Sequence, residues 1–268
     1  MMPGLAMNSV NPDPRGPDAS SVDSFHRGRF HLVQPLGGGH RAGIDAMMLA
    51  AAVPDGFSGH CADLGAGAGA AGFAVISRLP NARVTLFEND PLMGKCARQS
   101  LALPHNADFS SRATIIQADV TLRGDARQEA GLINNQFDFA IFNPPFNDAS
   151  DRQTPDAIKA NAHVMHETMF EDWIRTAAAI VKPGGGMVLI ARPQSLNDIL
   201  NAIDKRFGAL EIIPVHPHIK ALAIRIIVRG VKGSRARLGF LPAHVLHAKG
   251  AEAFLPRAEA VNNGLAGL

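Results

Sequence analysis

Apolar positions fall into short runs at two spacings, and the spacing alternates along the chain. Residues 61–64, 83–87, 113–117, 137–142 and 187–191 are compact apolar runs rich in β-branched or aromatic side chains, the pattern of buried strands. Between them, residues 70–79, 92–103, 169–181 and 196–207 read as helices. Pro183 and the three glycines after it stop the third of these. Residues 121–135 are polar and read as part helix, part loop. Such alternation predicts a mostly parallel sheet with helices on both faces. Two further strands, 210–215 and 221–228, are joined by the short link 216–220, so they form one antiparallel hairpin.

The remainder divides around this alternation. Residues 1–24 are rich in Pro, Gly, Ser, Asn and Asp and read as a disordered tail. Residues 25–55 are an N-terminal arm. Phe30, Leu32 and Pro35 suggest a short strand or hairpin, Gly37-Gly38-Gly39 a flexible turn, and 44–53 an apolar helix ended by Pro54. Residues 56–232 hold the alternating domain. Residues 233–268 are a less regular extension that packs on it through Leu238, Phe240, Leu246 and Leu255.

Composition narrows the function classes. The chain has 268 residues, 46% of them apolar, which suits one large α/β domain. No apolar run approaches the roughly 18–20 residues that cross a bilayer. Cys61 and Cys96 make neither a disulfide framework nor a metal cage, so a reducing cytoplasm is the simplest setting. His216-Pro217-His218 has no cysteine or acid nearby to complete a metal site. The net charge of +2 predicts no partner, but its distribution does: no acidic residue stands between Glu211 and Glu252. That stretch holds Lys220, Arg225, Arg229, Lys232, Arg235, Arg237 and Lys249, and a second basic cluster runs from His26 to Arg41. Both suit a polyanion such as RNA.

Asp63-Leu64-Gly65-Ala66-Gly67-Ala68-Gly69 follows a strand and precedes a helix. Glycines let a turn this tight form and let backbone approach a ligand, while the helix start presents N–H groups. Glu88 ends the next strand, where a carboxylate can accept both ribose hydroxyls of a nucleoside. Gly65, Gly67 and Ala70 also satisfy a dinucleotide fingerprint. Asp63 favours an amino-bearing ligand, the methionine end of S-adenosylmethionine, over a pyrophosphate. Asp119, beyond the third strand, is placed to accept from an adenine amino group.

Asn143-Pro144-Pro145-Phe146 follows the fourth strand, beside the crevice where open α/β sheets hold ligands. An exocyclic amine is a poor nucleophile because its lone pair is delocalised. The Asn143 side-chain oxygen and the Pro144 carbonyl can accept its two N–H bonds and orient that lone pair. The prolines hold the backbone fixed, and Phe146 offers a face to a planar substrate. His163 and His166, in the polar stretch 147–167, read as solvated loop residues, and Trp173 as core.

These motifs, in this order, resemble those of amino-group methyltransferases. Gly39-His40-Arg41-Ala42-Gly43-Ile44-Asp45-Ala46 resembles the opening of the bacterial tRNA1(Val) adenine-37 N6-methyltransferase family, and the resemblance covers residues 25–232. It implies a Rossmann-like class I methyltransferase fold: α/β, a seven-stranded, mostly parallel sheet with one antiparallel strand and helices on both faces. It implies S-adenosylmethionine held by Asp63, Gly65, Ala66, Gly67, Gly69, Asn89 and Asn143, with Glu88 at the ribose, and Asp119 and Val120 at the adenine. Arg41 and Asp45 would close the site, and Asn143–Phe146 would grip an adenine in RNA, tRNA above all, with no metal and no membrane. The sequence departs from the commoner pattern at Ile44, where Thr is frequent, and at Phe146, where related families carry Tyr. Two other readings are a protein glutamine N5-methyltransferase, which shares the motif, and a nicotinamide-dependent oxidoreductase, which leaves Asn143–Phe146 without a role.

Overall fold

The computed structural model describes residues 19–36, 41–145 and 169–268. In chain order its elements begin with β1 (Ser20–Phe25), β2 (Phe30–Pro35), α1 (Ile44–Ala51), β3 (His60–Leu64), α2 (Ala70–Arg78) and β4 (Arg83–Glu88). There follow α3 (Pro91–Leu101), β5 (Ala113–Gln117), α4 (Gly124–Glu129), β6 (Phe137–Phe142), α5 (residues 169–180) and β7 (Val181–Ala191). The chain closes with α6 (Leu196–Ile203), β8 (Phe207–His216), β9 (Arg225–Lys232), β10 (Gly239–Phe240), β11 (His244–Val245) and α7 (Pro256–Asn262). The turn at Gly37–Gly39, the polar stretch with His163 and His166, and Phe146 lie outside the described residues.

The main sheet runs β10-β8-β9-β7-β6-β3-β4-β5, with β11 also on β8. β9 is antiparallel to both neighbours, and every other pairing in this sheet is parallel. The seven expected strands are all present. The sheet has nine because two-residue strands β10 and β11, from the extension after residue 232, pair with the edge strand β8 and cover its open hydrogen-bonding groups.

Strand alternation sorts the core into two layers. Cys61, Phe139, Ile141, Val188 and Ile190 face β2, α1 and α2. Ala62, Leu64, Phe137, Ala140, Phe142, Met187 and Leu189 face α5 and α6. On α5, Phe170, Ile174 and Ala177 recur at helical spacing and are fully buried, which pins that helix against the sheet. α3 begins where Asp90 caps Leu92 and Met93 through their N–H groups and Pro91 sits in the first turn.

Several sequence expectations change. Leu238 and Phe240, expected to anchor the extension, are 40% and 64% exposed, whereas Leu246 is buried. The helix expected over 196–207 ends at Ile203, and Phe207 opens β8. The tail is shorter than 1–24, because Ser20–Phe25 pairs antiparallel with β2 along its whole length. β1 lacks an apolar stripe, so its pairing with the buried β2 decides its state. β7 starts at Val181, ahead of the expected 187, and a register shift between Phe137 and Phe139 takes up the Pro-Gly-Gly segment. β9 starts at Arg225 instead of 221, because Ile224 N–H bonds to Val215 and Ala221 N–H bonds to His218, closing a wider turn.

His26, between β1 and β2, is buried with its Nδ1 3.1 Å from Ser77 Oγ and its ring edge-on to Phe30. Burial first, then Arg29 and Arg78, push its pKa down to about 4 from 6.5. The folded ring therefore resists a proton that the unfolded chain accepts below about pH 6.5. Stability is unaffected by this group above that pH and falls as pH drops toward 4, by about 3 kcal/mol at the limit. Denaturant titrations at pH 7 and pH 4.5 measure it. His26→Asn, which tolerates the φ of +49° at this position, should flatten the slope.

Candidate active site

The crevice of an open α/β sheet lies beyond the carboxyl ends of its strands, where strand order switches. Here β3 is that strand, with β4 on one side and β6 on the other. Leu64 is level with both Phe87 and Phe142 in the ladder. The next residues along the three chains, Gly65, Glu88 and Asn143, therefore stand at one height at the carboxyl rim, with neighbouring strands about 4.8 Å apart. The chain positions 65, 88 and 143 meet only through this register.

Gly65, Gly67 and Gly69 all have left-handed φ, at +66°, +58° and +95°. Gly65 also meets a close approach: a Cβ there would stand 2.3 Å from Cη2 of Trp173, whose ring lies over the turn from α5. Glu88 joins the turn to β4, one carboxylate oxygen accepting from Gly67 N–H at 2.7 Å and the other from Asp90 N–H at 2.7 Å. Asp63, buried beneath, accepts from Gly72 N–H at 2.8 Å. Burial raises its pKa to about 8, with Glu88 adding to the rise and the Gly72 bond opposing it.

Beyond β5, one oxygen of Asp119 accepts from both the N–H and the hydroxyl of Thr121, so this carboxylate shapes the turn it stands in. The neighbouring Val120 is buried, and its carbonyl accepts from the Thr176 hydroxyl of α5 at 2.6 Å. Ala66 is half-buried and bonds back to Phe87, whereas Asn89 is exposed at the rim. Just beyond β6, Pro144 is buried and Pro145 exposed. Among the described residues the buried Asn143 Oδ1 has no hydrogen-bond partner.

Arg41 and Asp45 each have partners within the protein. Arg41 bonds to Asp23, Ser21 and the Pro35 carbonyl, tying the chain before α1 to the β1–β2 hairpin. Asp45 pairs with Arg225 Nε at 2.8 Å, joining the first turn of α1 to the start of β9. Only the Asp45–Arg225 pair lashes the N-terminal arm to the carboxyl rim; the Arg41 contacts are internal to the N-terminal segment. The position of Trp173 over Gly65 is what sequence reading missed. The available signal was that it is the chain's one tryptophan, on the helix that follows the Asn-Pro-Pro-Phe element.

The basic stretch after Glu211 does not form one surface. Because β9 runs against the other strands, Lys220 and Arg225 stand at the carboxyl rim while Lys232 reaches the opposite end, where it bonds to Asn135 and Val181. Arg229 is taken by Glu211 and by the Leu268 carbonyl. Of the first cluster, Arg27 pairs with Glu259 of α7. Among the described residues no group of three His, Cys, Asp or Glu could hold a metal ion, and no helix is long and apolar enough to cross a membrane.

This sheet order, with a glycine turn at its switch point and an acid ending the next strand, defines a class I methyltransferase. The chain belongs to the methyltransferase small domain family, whose model matches residues 41–222. It is 32% identical over 182 residues to the tRNA1(Val) (adenine(37)-N6)-methyltransferase of Porphyromonas gingivalis strain ATCC 33277, covering 66% of this chain and 68% of the relative. The W83 strain's protein of that name is 31% identical over the same length. A crystal structure of a predicted O-methyltransferase from Agrobacterium tumefaciens is 46% identical with a TM-score of 0.73, covering 84% of this chain and 98% of that one. TYW2 of Pyrococcus horikoshii, solved with MeSAdo, shares the fold at 12% identity and a TM-score of 0.52, over 82% of this chain and 74% of that one.

The enzyme uses S-adenosylmethionine, and membership of this family sets aside the oxidoreductase reading. The residues fit the donor: a left-handed glycine turn, an acid at the same height, and a second acid below. Replacing Glu88 with alanine removes the 2.7 Å bond that braces the turn at Gly67 and the 2.7 Å bond to Asp90 N–H at the start of α3. The expected result is about ten- to hundredfold weaker binding of S-adenosylhomocysteine by calorimetry. Unchanged affinity would remove Glu88 from the cofactor site.

Proposed function

We propose that the enzyme methylates N6 of an adenine in tRNA. The observation that carries this reading is the buried, unpartnered Oδ1 of Asn143 at the height of the glycine turn. A buried acceptor left unpaired costs about 1–3 kcal/mol, and an incoming N–H donor would recover it. An amino group brings two N–H bonds, one for Asn143 Oδ1 and one for the Pro144 carbonyl. These contacts orient the nitrogen lone pair and stabilise the positive charge that grows on it. Bound S-adenosylmethionine supplies an electrophilic methyl group. A hydroxyl target would instead need a base, and the amide of Asn143 cannot take a proton. That chemistry favours the activity named for the Porphyromonas relatives over the one named for the Agrobacterium structure. Phe146 would stack on the target ring.

The choice of adenine in RNA over a glutamine amide, which offers Asn143 the same donors, is supported by Lys220, exposed at the same carboxyl rim, where it can meet a phosphate. The test is transfer of a labelled methyl group to tRNA and to a release factor, followed by nucleoside analysis. Label appearing as N6-methyladenosine supports the proposal. Label on the release factor, or on a hydroxyl, overturns it.

A further inference from the structure

The loop of residues 217–224, between β8 and β9, exposes three large apolar side chains within six residues. Ile219 is 77% exposed, Leu222 89% and Ile224 42%. Scattered apolar residues are ordinary on a surface, but a group of them on one loop at the rim of a site is not. The loop is also built, not frayed. His216 Nδ1 lies 2.7 Å from the Ala221 carbonyl. Ala221 N–H bonds to His218, and Ile224 N–H bonds back to Val215. From the other side, Leu246 and His247 N–H groups bond to the carbonyls of His216 and Pro217. These braces hold the loop in one shape with Ile219 and Leu222 turned to water.

Its place is set by the sheet. β8 ends and β9 begins at the carboxyl rim, where Arg225 pairs with Asp45. In the order β6-β7-β9-β8 the loop stands two to three strand spacings from Asn143, roughly 10–14 Å across the rim. Lys220, exposed between the two apolar tips, belongs to the acid-free stretch.

We propose that this loop is a wedge for single-stranded RNA: Ile219 and Leu222 pack against the base beside the target, and Lys220 meets the adjoining phosphate. The proposal rests on the RNA reading of the active site. A base reaches a site of this kind by leaving its stack, at the cost of its stacking and pairing contacts. Aliphatic side chains that fill the gap offset that cost, as inserted Leu and Ile do in proteins that kink nucleic acids. A rigid loop does this better than a mobile one, because no ordering is needed on binding.

The experiment compares the wild-type chain with the double variant Ile219→Ser/Leu222→Ser and with Lys220→Ala. Substrates are a tRNA transcript and a short unstructured adenine-containing oligomer. Both apolar positions are exposed, so folding and S-adenosylhomocysteine affinity should hold, and both are measured. The wedge predicts about tenfold lower kcat/KM on tRNA for the double variant, and a smaller loss on the oligomer, whose bases are already unstacked. It also predicts a weaker rise in 2-aminopurine fluorescence when that base neighbours the target. Lys220→Ala should raise KM on both RNAs and reduce the salt dependence of binding. Unchanged kcat/KM on tRNA, or an equal loss on both RNAs, overturns the wedge while leaving the proposed function standing. A wild-type chain inert on every RNA overturns the proposed function and the wedge with it. Loss of self-association in the variants, with RNA kinetics intact, would assign the loop to a protein contact and overturn the wedge.

Discussion

Asn143→Ala is expected to lower kcat by about 10²–10³-fold while S-adenosylhomocysteine affinity stays within about twofold. The separation follows from geometry. Glu88, Gly67 and Asp63 form their bonds without Asn143, so the donor's seat survives the substitution. What disappears is the acceptor that meets the target's N–H, an interaction that strengthens as charge develops on the nitrogen. Stability supplies the second half of the test. Oδ1 is buried without a partner among the described residues, so its removal should leave Tm of the free enzyme unchanged or slightly higher. A large fall in Tm would mean that Asn143 holds the loop together, and an unchanged kcat would remove it from the chemistry. Asn143→Asp keeps an acceptor oxygen and should fall between the two.

Gly65→Ala is the second large effect. A non-glycine residue at φ +66° costs about 1–2 kcal/mol, and the added Cβ stands 2.3 Å from Trp173 Cη2. Trp173 is buried and packs near Phe142, so its ring can move only by disturbing the α5 layer. Overpacking of this kind adds about 1–3 kcal/mol. The combined loss of about 2–5 kcal/mol should appear in denaturant unfolding, together with loss of cofactor binding. Adding Trp173→Leu should return the packing part and leave the backbone part, a double-mutant cycle with clear coupling. Additive losses would mean that the ring and the turn are independent.

Much of this architecture is legible along the chain. The alternation of helical and strand spacing gives the order of elements, because periodicity depends on which face of each segment is apolar. Gly65, Gly67 and Gly69 mark a turn that other residues adopt at a cost, and the glycines do have left-handed φ. Asn143-Pro144-Pro145 stands out because two prolines and an amide directly after a strand have few structural uses.

The limits of that legibility fall on particular residues. Ser20–Phe25 looks like tail because its state depends on pairing with β2 and not on its own composition. Arg41 and Asp45 can be placed near the site from sequence, but not matched to Asp23 and Arg225. The basic stretch reads as one patch until the antiparallel course of β9 sends Lys220 to one end of the sheet and Lys232 to the other.

Local sequence thus determined the elements, their order and the turn chemistry, since those depend on each residue's own sterics and on neighbours a few positions away. Tertiary structure decided the strand register that brings Gly65, Glu88 and Asn143 to one height, the ring of Trp173 over the turn, and the brace from Asp45 to Arg225. These depend on packing between segments far apart in the chain, where many partners are chemically acceptable and only the closed core selects among them.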